Sequence, residues 1–309
     1  MNSESKIKRI LIEGGSGLNG RQLIQSLCNN AEVRILSRKM RKVEGASVYY
    51  WNPEQNEIDP ESLYNVDVII NLAGENIGQS RWTKSRKEAL LNSRILPIQC
   101  LVKALDKLQL RPDLIIQASA IGIYGSRKGE LLTEESSLKG GDYVTELNTK
   151  WEVESKALLP FCDRLVIIRT GLVLSAVGGI WPELMMTSPF RILTWFGRGE
   201  QVFSWIHLED VGEAVRYLIE KNDISGVVNL SAPGSLTQRE LMHTIGRVLD
   251  KYYLYLGIPE VLLRIIIGKR TTLLLEDQKV YPEKLLRHGF EFKYNNAEDA
   301  IKAITGSIQ

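Results

Sequence analysis

A glycine string near the N-terminus constrains the fold of this chain more than any other feature. Gly14, Gly17 and Gly20 have the spacing G-x-x-G-x-x-G, and they separate an apolar run from an amphipathic stretch. The run Lys8–Glu13 predicts a strand and the stretch Leu18–Cys28 predicts a helix. In such a turn, glycines permit the tight bend, the approach of a pyrophosphate and close packing of helix on strand. We therefore predict a dinucleotide site at the helix N-terminus, the alternative being a tight structural turn. The predicted contacts are Gly14, Gly17, Leu18, Asn19 and Gly20.

The end of the second predicted strand, Glu32–Ser37, indicates which dinucleotide binds. NAD-binding folds usually place an acid there to hold the ribose 2′-hydroxyl. Here Ser37 and Arg38 occupy the strand end, and Lys39, Arg41 and Lys42 follow in the same basic loop. A carboxylate would repel a 2′-phosphate, whereas a hydroxyl and a guanidinium would bind it. We predict NADP(H) rather than NAD(H), the alternative being that the basic loop is only a solvated surface.

Apolar runs and helical patterns alternate along the chain, which is typical of βαβ units around a doubly wound parallel sheet. After residue 174 the pattern becomes less regular, and the chain returns to the sheet near Leu230. We therefore predict an α/β domain over 1–230, in which 175–205 contributes to a substrate lobe, and a small helix-rich C-terminal lobe over 231–309. The other predicted strands are Val48–Trp51, Asp67–Ala73, Asp113–Ser119, Arg164–Leu174, Ser204–His207 and Val227–Leu230, and the main helices are Trp82–Leu108, with a kink or break at Pro97, Thr145–Leu159 and Leu208–Glu220.

Composition excludes several functional classes. The 309 residues include 39 Lys+Arg and 37 Asp+Glu, so the net charge of +2 gives no broad basic field for nucleic acid or an anionic membrane. No run approaches the roughly 18 apolar residues of a membrane span. Three widely spaced cysteines form neither a disulfide framework nor a zinc motif, which fits a reducing cytoplasm. We expect a cytoplasmic protein with no metal site.

Further strings in the chain resemble a known family. They are Asn71–Ile77 (NLAGENI), Ser119–Gly125 (SAIGIYG), Arg169–Leu174 (RTGLVL), Trp205–His207 (WIH) and Leu274–Val280 (LLEDQKV). With the glycine spacing, they resemble the extended short-chain dehydrogenase/reductase (SDR) superfamily, and within it the epimerase family branch that includes human SDR family 39 member U1 and bacterial relatives. The resemblance spans nearly the whole chain. It implies an NADP-binding Rossmann fold with strand order 3-2-1-4-5-6-7.

The resemblance also implies positions for the cofactor. Leu72, Ala73 and Gly74 would line its adenosine side, at the end of the fourth strand. Arg94 would reach its phosphate or ribose, and Gly171 and Val173 would line the nicotinamide end.

The most informative departure from the superfamily is a missing tyrosine. Active members use a Tyr-x-x-x-Lys pair, in which the lysine lowers the tyrosine pKa and the tyrosine transfers a proton. Here Asn148 stands at the tyrosine position and Glu152 at the lysine position. Two weak candidates remain for proton transfer. Ser119 ends the fifth strand, one residue from the usual hydroxyl position, and Tyr124 lies in the loop that follows.

Two functions remain open. The first is an NADP(H)-dependent oxidoreductase or epimerase-like enzyme that acts on an unknown small molecule at a non-standard site. The second is a non-catalytic NADPH-binding sensor or scaffold, which explains Asn148 and Glu152 more economically. Extended members often form homodimers through the helices corresponding to Trp82–Leu108 and Thr145–Leu159, but the charged residues of the first helix could equally be solvated.

Overall fold

The computed structural model describes residues 8–268 and 271–307. Strands and helices alternate through the first part of the chain. The strands are β1 (Lys8–Glu13), β2 (Ala31–Ser37), β3 (Ser47–Asn52), β4 (Glu57–Ile58), β5 (Val68–Asn71), β6 (Leu114–Ala120), β7 (Leu131–Leu132), β8 (Arg164–Thr170), β9 (Leu172–Ser175), β10 (Gly178–Gly179), β11 (Ile192–Phe196), β12 (Val202–Phe203), β13 (Trp205–His207), β14 (Gly226–Leu230), β15 (Leu236–Thr237), β16 (Leu254–Ile258) and β17 (Lys279–Val280). The helices are α1 (Leu18–Leu27), α2 (Lys84–Leu108), α3 (Tyr143–Ser155), α4 (Trp181–Leu184), α5 (Leu208–Glu220), α6 (Gln238–Val248), α7 (Glu260–Ile267), α8 (Thr271–Leu275), α9 (Glu283–Arg287) and α10 (Ala297–Gly306).

Within the described residues, eight strands form the central sheet, in the order β14-β8-β6-β5-β1-β2-β3-β4. Neighbouring strands are parallel except for β4, which pairs antiparallel with β3 at one edge. All four residues of β5 are buried, as expected for a strand covered on both faces. The seven parallel strands have the predicted order, so the doubly wound Rossmann fold is confirmed.

Side chains alternate between two apolar cores on the faces of the sheet. In β1, Ile10 and Ile12 pack with α1 and α5, whereas Leu11 packs against α2 on the opposite face. This alternation follows from the two-residue period of a strand. The predicted strand Lys8–Glu13 and helix Leu208–Glu220 are observed with the same bounds.

A third apolar cluster lies beside the sheet and joins distant parts of the chain. It combines Leu174 and Trp205 with Leu241 and Ile301. Residues after 230 also enter the first core, where Phe290 packs among side chains of α5 and the sheet. The division into domains at residue 230 stays a prediction.

Two prolines lie within helical segments. Helix α2 runs through Pro97 without a break, and Pro97 is buried. Helix α3 begins at Tyr143, two residues before the predicted start, and ends at Ser155. A 3₁₀ segment, Lys156–Phe161, follows it and contains Pro160.

None of the helices in the described ranges is long and apolar enough to cross a membrane.

Candidate cofactor cleft and active site

The turn between β1 and α1 has room for glycine alone at two positions. Gly14 has φ +80°, and a Cβ there would lie 2.9 Å from the carbonyl oxygen of Leu72. A Cβ at Gly20 would lie 2.6 Å from Gly15 Cα and closer still to the Gly14 carbonyl oxygen. Real Cβ atoms do not approach other atoms so closely. The turn is therefore as compact as the glycine spacing predicts.

The N-terminus of α1 opens at this turn. Its N-cap is Gly17, which has no side chain to bond the first N–H groups of the helix. Unbonded N–H groups and the positive end of the helix dipole favour a phosphate. Asn19 lies in this first turn, and its buried Oδ1 accepts no hydrogen bond from any described residue. The backbone here fits the pyrophosphate of a dinucleotide.

A cleft of about 1140 Å³ extends from the glycine turn along the carboxyl ends of β1, β2 and β5. Of the predicted cofactor residues, five line it: Gly14, Ser37, Arg38, Ala73 and Gly74. The others are not among the residues that line it: Gly17, Leu18, Asn19, Gly20, Leu72, Arg94, Gly171 and Val173. Their roles as cofactor ligands stay predictions. The sequence interpretation missed Arg21, Trp51 and Pro97, which also line the cleft and come from three separate elements.

One end of this cleft is strongly basic. Arg21, Arg38, Lys39, Arg41 and Lys42 all line it. Arg38 is two-thirds exposed, and its nearest carboxylate is that of Glu54, 3.8 Å away. Such an exposed and loose ion pair leaves the guanidinium available to a ligand. The neighbouring Ser37 hydroxyl donates to the Lys39 carbonyl at 2.8 Å and accepts from its N–H at 3.1 Å, which holds the basic loop in a turn.

Arg94 supports the loop after β5. It is buried, donates to the carbonyls of Leu90 at 2.9 Å and Glu75 at 3.2 Å, and lies 4.9 Å above the Trp151 ring. Burial lowers its pKa to about 10, so it stays charged at neutral pH. The guanidinium carbon would be 3.5 Å from a Cβ at Gly74, so Arg94 lies directly behind a residue of the cleft wall.

The predicted nicotinamide end lies where the chain leaves the main sheet, between β8 and β9. The Gly171 N–H donates to the Leu230 carbonyl at 2.9 Å, and a Cβ at Gly171 would lie 2.8 Å from the Ser204 carbonyl oxygen. The hairpin of β9 and β10 then packs on the start of α1. A Cβ at Gly178 would lie 3.3 Å from Leu18 Cδ1. This packing brings the strand that contains Val173 to the start of α1.

The two proton-transfer candidates lie in one buried network. The Ser119 hydroxyl donates to Glu152 Oε1 at 2.6 Å. The Arg169 guanidinium donates to both carboxylate oxygens of Glu152, each at 2.8 Å, and lies 4.8 Å above the Tyr124 ring. The Tyr124 hydroxyl donates to Asn229 Oδ1 at 2.8 Å, and burial raises the pKa of this phenol. The catalytic roles of Ser119 and Tyr124 stay predictions, but both hydroxyls already have partners.

His207 links β13 to α5. Its Nδ1 accepts the N–H of Glu209 at 3.2 Å and so caps the helix. The ring packs on Tyr294 with centroids 4.0 Å apart, and burial lowers its pKa to about 4. Among the described residues, no group of three or more His, Cys, Asp and Glu side chains could hold a metal ion.

Comparison with known proteins identifies the family. The NAD dependent epimerase/dehydratase family matches residues 10–146, and a domain of unknown function, DUF1731, matches residues 258–304. The epimerase family protein YfhF of Bacillus subtilis is 33% identical over 298 residues, which are 96% of this chain and 97% of that protein. The chain belongs to the epimerase family.

A solved relative in the epimerase family carries a dinucleotide. The human epimerase family protein SDR39U1 (isoform 2), crystallised with NADPH, superposes with a TM-score of 0.86 at 30% identity. The match covers 96% of this chain and 99% of the human one. The SDR39U1-like branch that the sequence motifs resemble is thereby confirmed.

Asn148, which we predict at the superfamily tyrosine position, lies close to Gly122 in this member of the epimerase family. Asn148 is buried on α3, and its Nδ2 would be 3.2 Å from a Cβ at Gly122. The carboxylate oxygen Oε2 of Glu276 would be 4.0 Å from that same Cβ. Glu276 belongs to the string Leu274–Val280, whose resemblance to the family was its only signal in the sequence. The sequence interpretation did not count it among the site residues.

Proposed function

We propose that this protein binds NADP(H) in the cleft beside the glycine turn. The observation that carries the proposal is the basic end of that cleft, which is lined by Arg38, Lys39, Arg41 and Lys42 and would suit a ribose 2′-phosphate. Arg38 is exposed and only loosely paired, so it can contact that phosphate. The NADPH in the human relative supports the same choice of cofactor.

We further propose that the protein is an oxidoreductase or epimerase-like enzyme that acts on a small molecule. A bound nicotinamide supplies or accepts a hydride. The chain would bind the substrate beyond the carboxyl ends of β6 and β8, where open α/β sheets bind their ligands. The lobe built from the β9–β13 region and the C-terminal helices would then exclude water from the site.

A second candidate function is an NADPH-binding sensor without catalysis. It is favoured by the buried network, because Ser119, Glu152 and Arg169 are bonded to one another rather than directed toward a ligand. The superfamily tyrosine and lysine positions hold an amide and a carboxylate, and neither is the usual proton-transfer group.

The two functions are separated by an anaerobic NADPH-oxidation screen. The panel holds aldehydes and ketones, quinones and nucleotide sugars, with NADPH binding measured beforehand by calorimetry. For an enzyme we expect NADPH oxidation with a carbonyl compound that saturates with its concentration. Tight NADPH binding without turnover on any of these classes would favour the sensor. Absence of NADPH binding would contradict both functions.

A further inference from the structure

Glu276 is brought to the site by a segment that binds the loop after β6. The Arg127 N–H donates to the Asp277 carbonyl at 2.7 Å, and the Asp277 N–H donates to Ser126 Oγ at 3.1 Å. Gln278 Nε2 donates to the Gly125 carbonyl at 3.2 Å. These three bonds fix residues 276–278 against the loop that connects β6 to α3. This loop leaves the carboxyl end of β6, the edge at which open α/β sheets bind their ligands.

The two carboxyl oxygens of Glu276 differ in their surroundings. Oε2 accepts from Gln278 Nε2 at 3.1 Å. Oε1 is buried and accepts from no donor in the described parts of the chain. Burial, the charge of the nearby Asp142 carboxylate and a side-chain hydrogen bond with Asp142 raise the pKa of Glu276 to about 9. Among the described residues, Asp142 is the titratable group that faces it, and Asp142 Oδ1 is held by the Thr145 N–H at 2.8 Å.

Glu276 and Asn148 both approach Gly122. Glu276 Oε2 and Asn148 Nδ2 lie within 4.0 Å of the point where a Gly122 side chain would begin, and Val144 Cγ1 lies 2.6 Å from the same point. The two polar groups and this methyl group therefore pack together around Gly122. By contrast, the hydroxyls of Ser119 and Tyr124 donate to Glu152 and Asn229.

We propose that Glu276 is the proton-transfer group of this site, in place of the missing tyrosine, and that its substrate is a carbonyl compound or the corresponding alcohol. This inference rests on the proposed binding of NADP(H). In the reducing direction, the carbonyl carbon accepts hydride from the cofactor and the carbonyl oxygen accepts the proton of Glu276 Oε1. The products are the alcohol, NADP⁺ and the Glu276 carboxylate, which regains a proton from water. In the oxidising direction, the carboxylate removes the hydroxyl proton.

The position of Glu276 can be tested without knowing the substrate. The ring of NADP⁺ carries a positive charge that the ring of NADPH lacks, and a nearby positive charge lowers a carboxyl pKa by about one unit or more. At a pH of about 8, a fall in the pKa of Glu276 from about 9 to about 8 releases roughly 0.4 proton per site. We expect this release when NADP⁺ binds and almost none when NADPH binds. It is measured by titration calorimetry in two buffers that differ in ionisation enthalpy.

Two variants assign the proton. Glu276→Gln should bind both dinucleotides and lose the difference in proton release. Asp277→Asn removes one charge from the next residue while keeping an oxygen that can accept from the Val202 N–H, and it should retain the difference. If Glu276→Gln does not fold, infrared difference spectra of the wild-type protein with ¹³C-labelled glutamate replace it, and a protonated glutamate band should weaken on changing NADPH for NADP⁺.

Four outcomes overturn the inference. Equal proton release by both dinucleotides in the wild-type protein, or an unchanged difference in Glu276→Gln, would show that Glu276 does not lie near the nicotinamide. Neither result would contradict the proposed binding of NADP(H). An unchanged glutamate band would show the same. Absence of binding by either dinucleotide would instead contradict the proposed function itself, and the inference would fall with it.

Discussion

Glu152 and Arg169 form a two-point ion pair in the interior of the protein. Arg169 Nε and Nη2 donate to the two carboxylate oxygens at 2.8 Å each, and the side chains are 10% and 5% exposed. Glu152 is the residue that we predict at the superfamily lysine position. An acid at this position is neutralised by an arginine on β8, so the pair belongs to the packed interior.

Replacing Glu152 by the superfamily residue should destabilise the protein. Glu152→Lys removes the partner of Arg169 and adds a second buried cation, and breaking a buried pair costs about 3–5 kcal/mol. We expect a loss of at least this size in the free energy of unfolding, measured with urea. Glu146→Lys is the matched control on the same helix. It disturbs only an exposed pair with Lys150, so it should change stability by less than about 1 kcal/mol.

It follows that Asn148→Tyr with Glu152→Lys should fail to rebuild the usual site unless Arg169 is changed as well. A double variant Glu152→Lys with Arg169→Glu should recover part of the lost stability. Unchanged stability of Glu152→Lys alone would contradict the structural role of the ion pair.

Arg38→Ala should weaken NADPH binding selectively. Losing a charge-assisted bond to a 2′-phosphate should raise the NADPH dissociation constant roughly tenfold, which corresponds to about 1.4 kcal/mol. NADH has no such phosphate, so its dissociation constant should change by less than about twofold. That limit corresponds to a change of about 0.4 kcal/mol in the binding free energy. Arg111→Ala removes an arginine that pairs with Asp163 on the surface and should affect neither. Equal weakening of both cofactors by Arg38→Ala would argue against a 2′-phosphate contact.

Gly20→Ala should disrupt the turn that carries the cofactor. The added methyl group would overlap the backbone of Gly14 and Gly15, and such overpacking costs about 1–3 kcal/mol. We expect lower stability together with at least a tenfold loss of NADPH affinity. Gly306→Ala, at the end of α10, is the control, because its Cβ would meet no described atom within 4 Å. A Gly20→Ala protein with normal affinity would show that the turn is not the phosphate site.

Glu13→Gln should change the pH dependence of stability. Glu13 is fully buried at the end of β1, its oxygens bond to no described donor, and burial raises its pKa from 4.5 to about 8. The folded state therefore holds a proton that the unfolded state releases, so wild-type stability falls as pH rises from about 4.5 to about 8, by about 1.4 kcal/mol per pH unit from this group.

The test compares urea unfolding of wild-type and Glu13→Gln proteins at several pH values in that range. The variant should gain stability relative to the wild type as pH increases, because glutamine has no proton to lose. Other groups that titrate in this range are common to both proteins and cancel in the difference. Parallel stability curves would show that Glu13 ionises normally.

The central sheet was predictable because its signals are local. The buried strand Val68–Asn71 has three successive apolar residues before Asn71, and the glycine turn is specified by residues within one short segment. Several strands outside the central sheet were not predicted, because each depends on a partner far away in sequence. β7, for example, pairs with β17, and β11 pairs with β16.

The cofactor cleft and the proposed proton-transfer site also differ in how far local sequence could predict them. Ser37 and Arg38 could be assigned from their position at a strand end. The proximity of Glu276 to Asn148 arises only when the C-terminal segment folds back onto the loop after β6, through bonds such as that of Gln278 to Gly125. No local sequence pattern predicts such a contact. The hydrogen bond of Ser119 to Glu152 was equally unpredictable from the sequence, although the sequence analysis named both residues.

Parallel calorimetric titrations of the unmodified protein with NADPH and NADH test the central claim most directly. We expect one site per chain, with NADPH bound at least about tenfold more tightly than NADH, a difference of about 1.4 kcal/mol. Equal or tighter binding of NADH, or no binding of either dinucleotide, would contradict the assignment of the basic cleft to NADP(H).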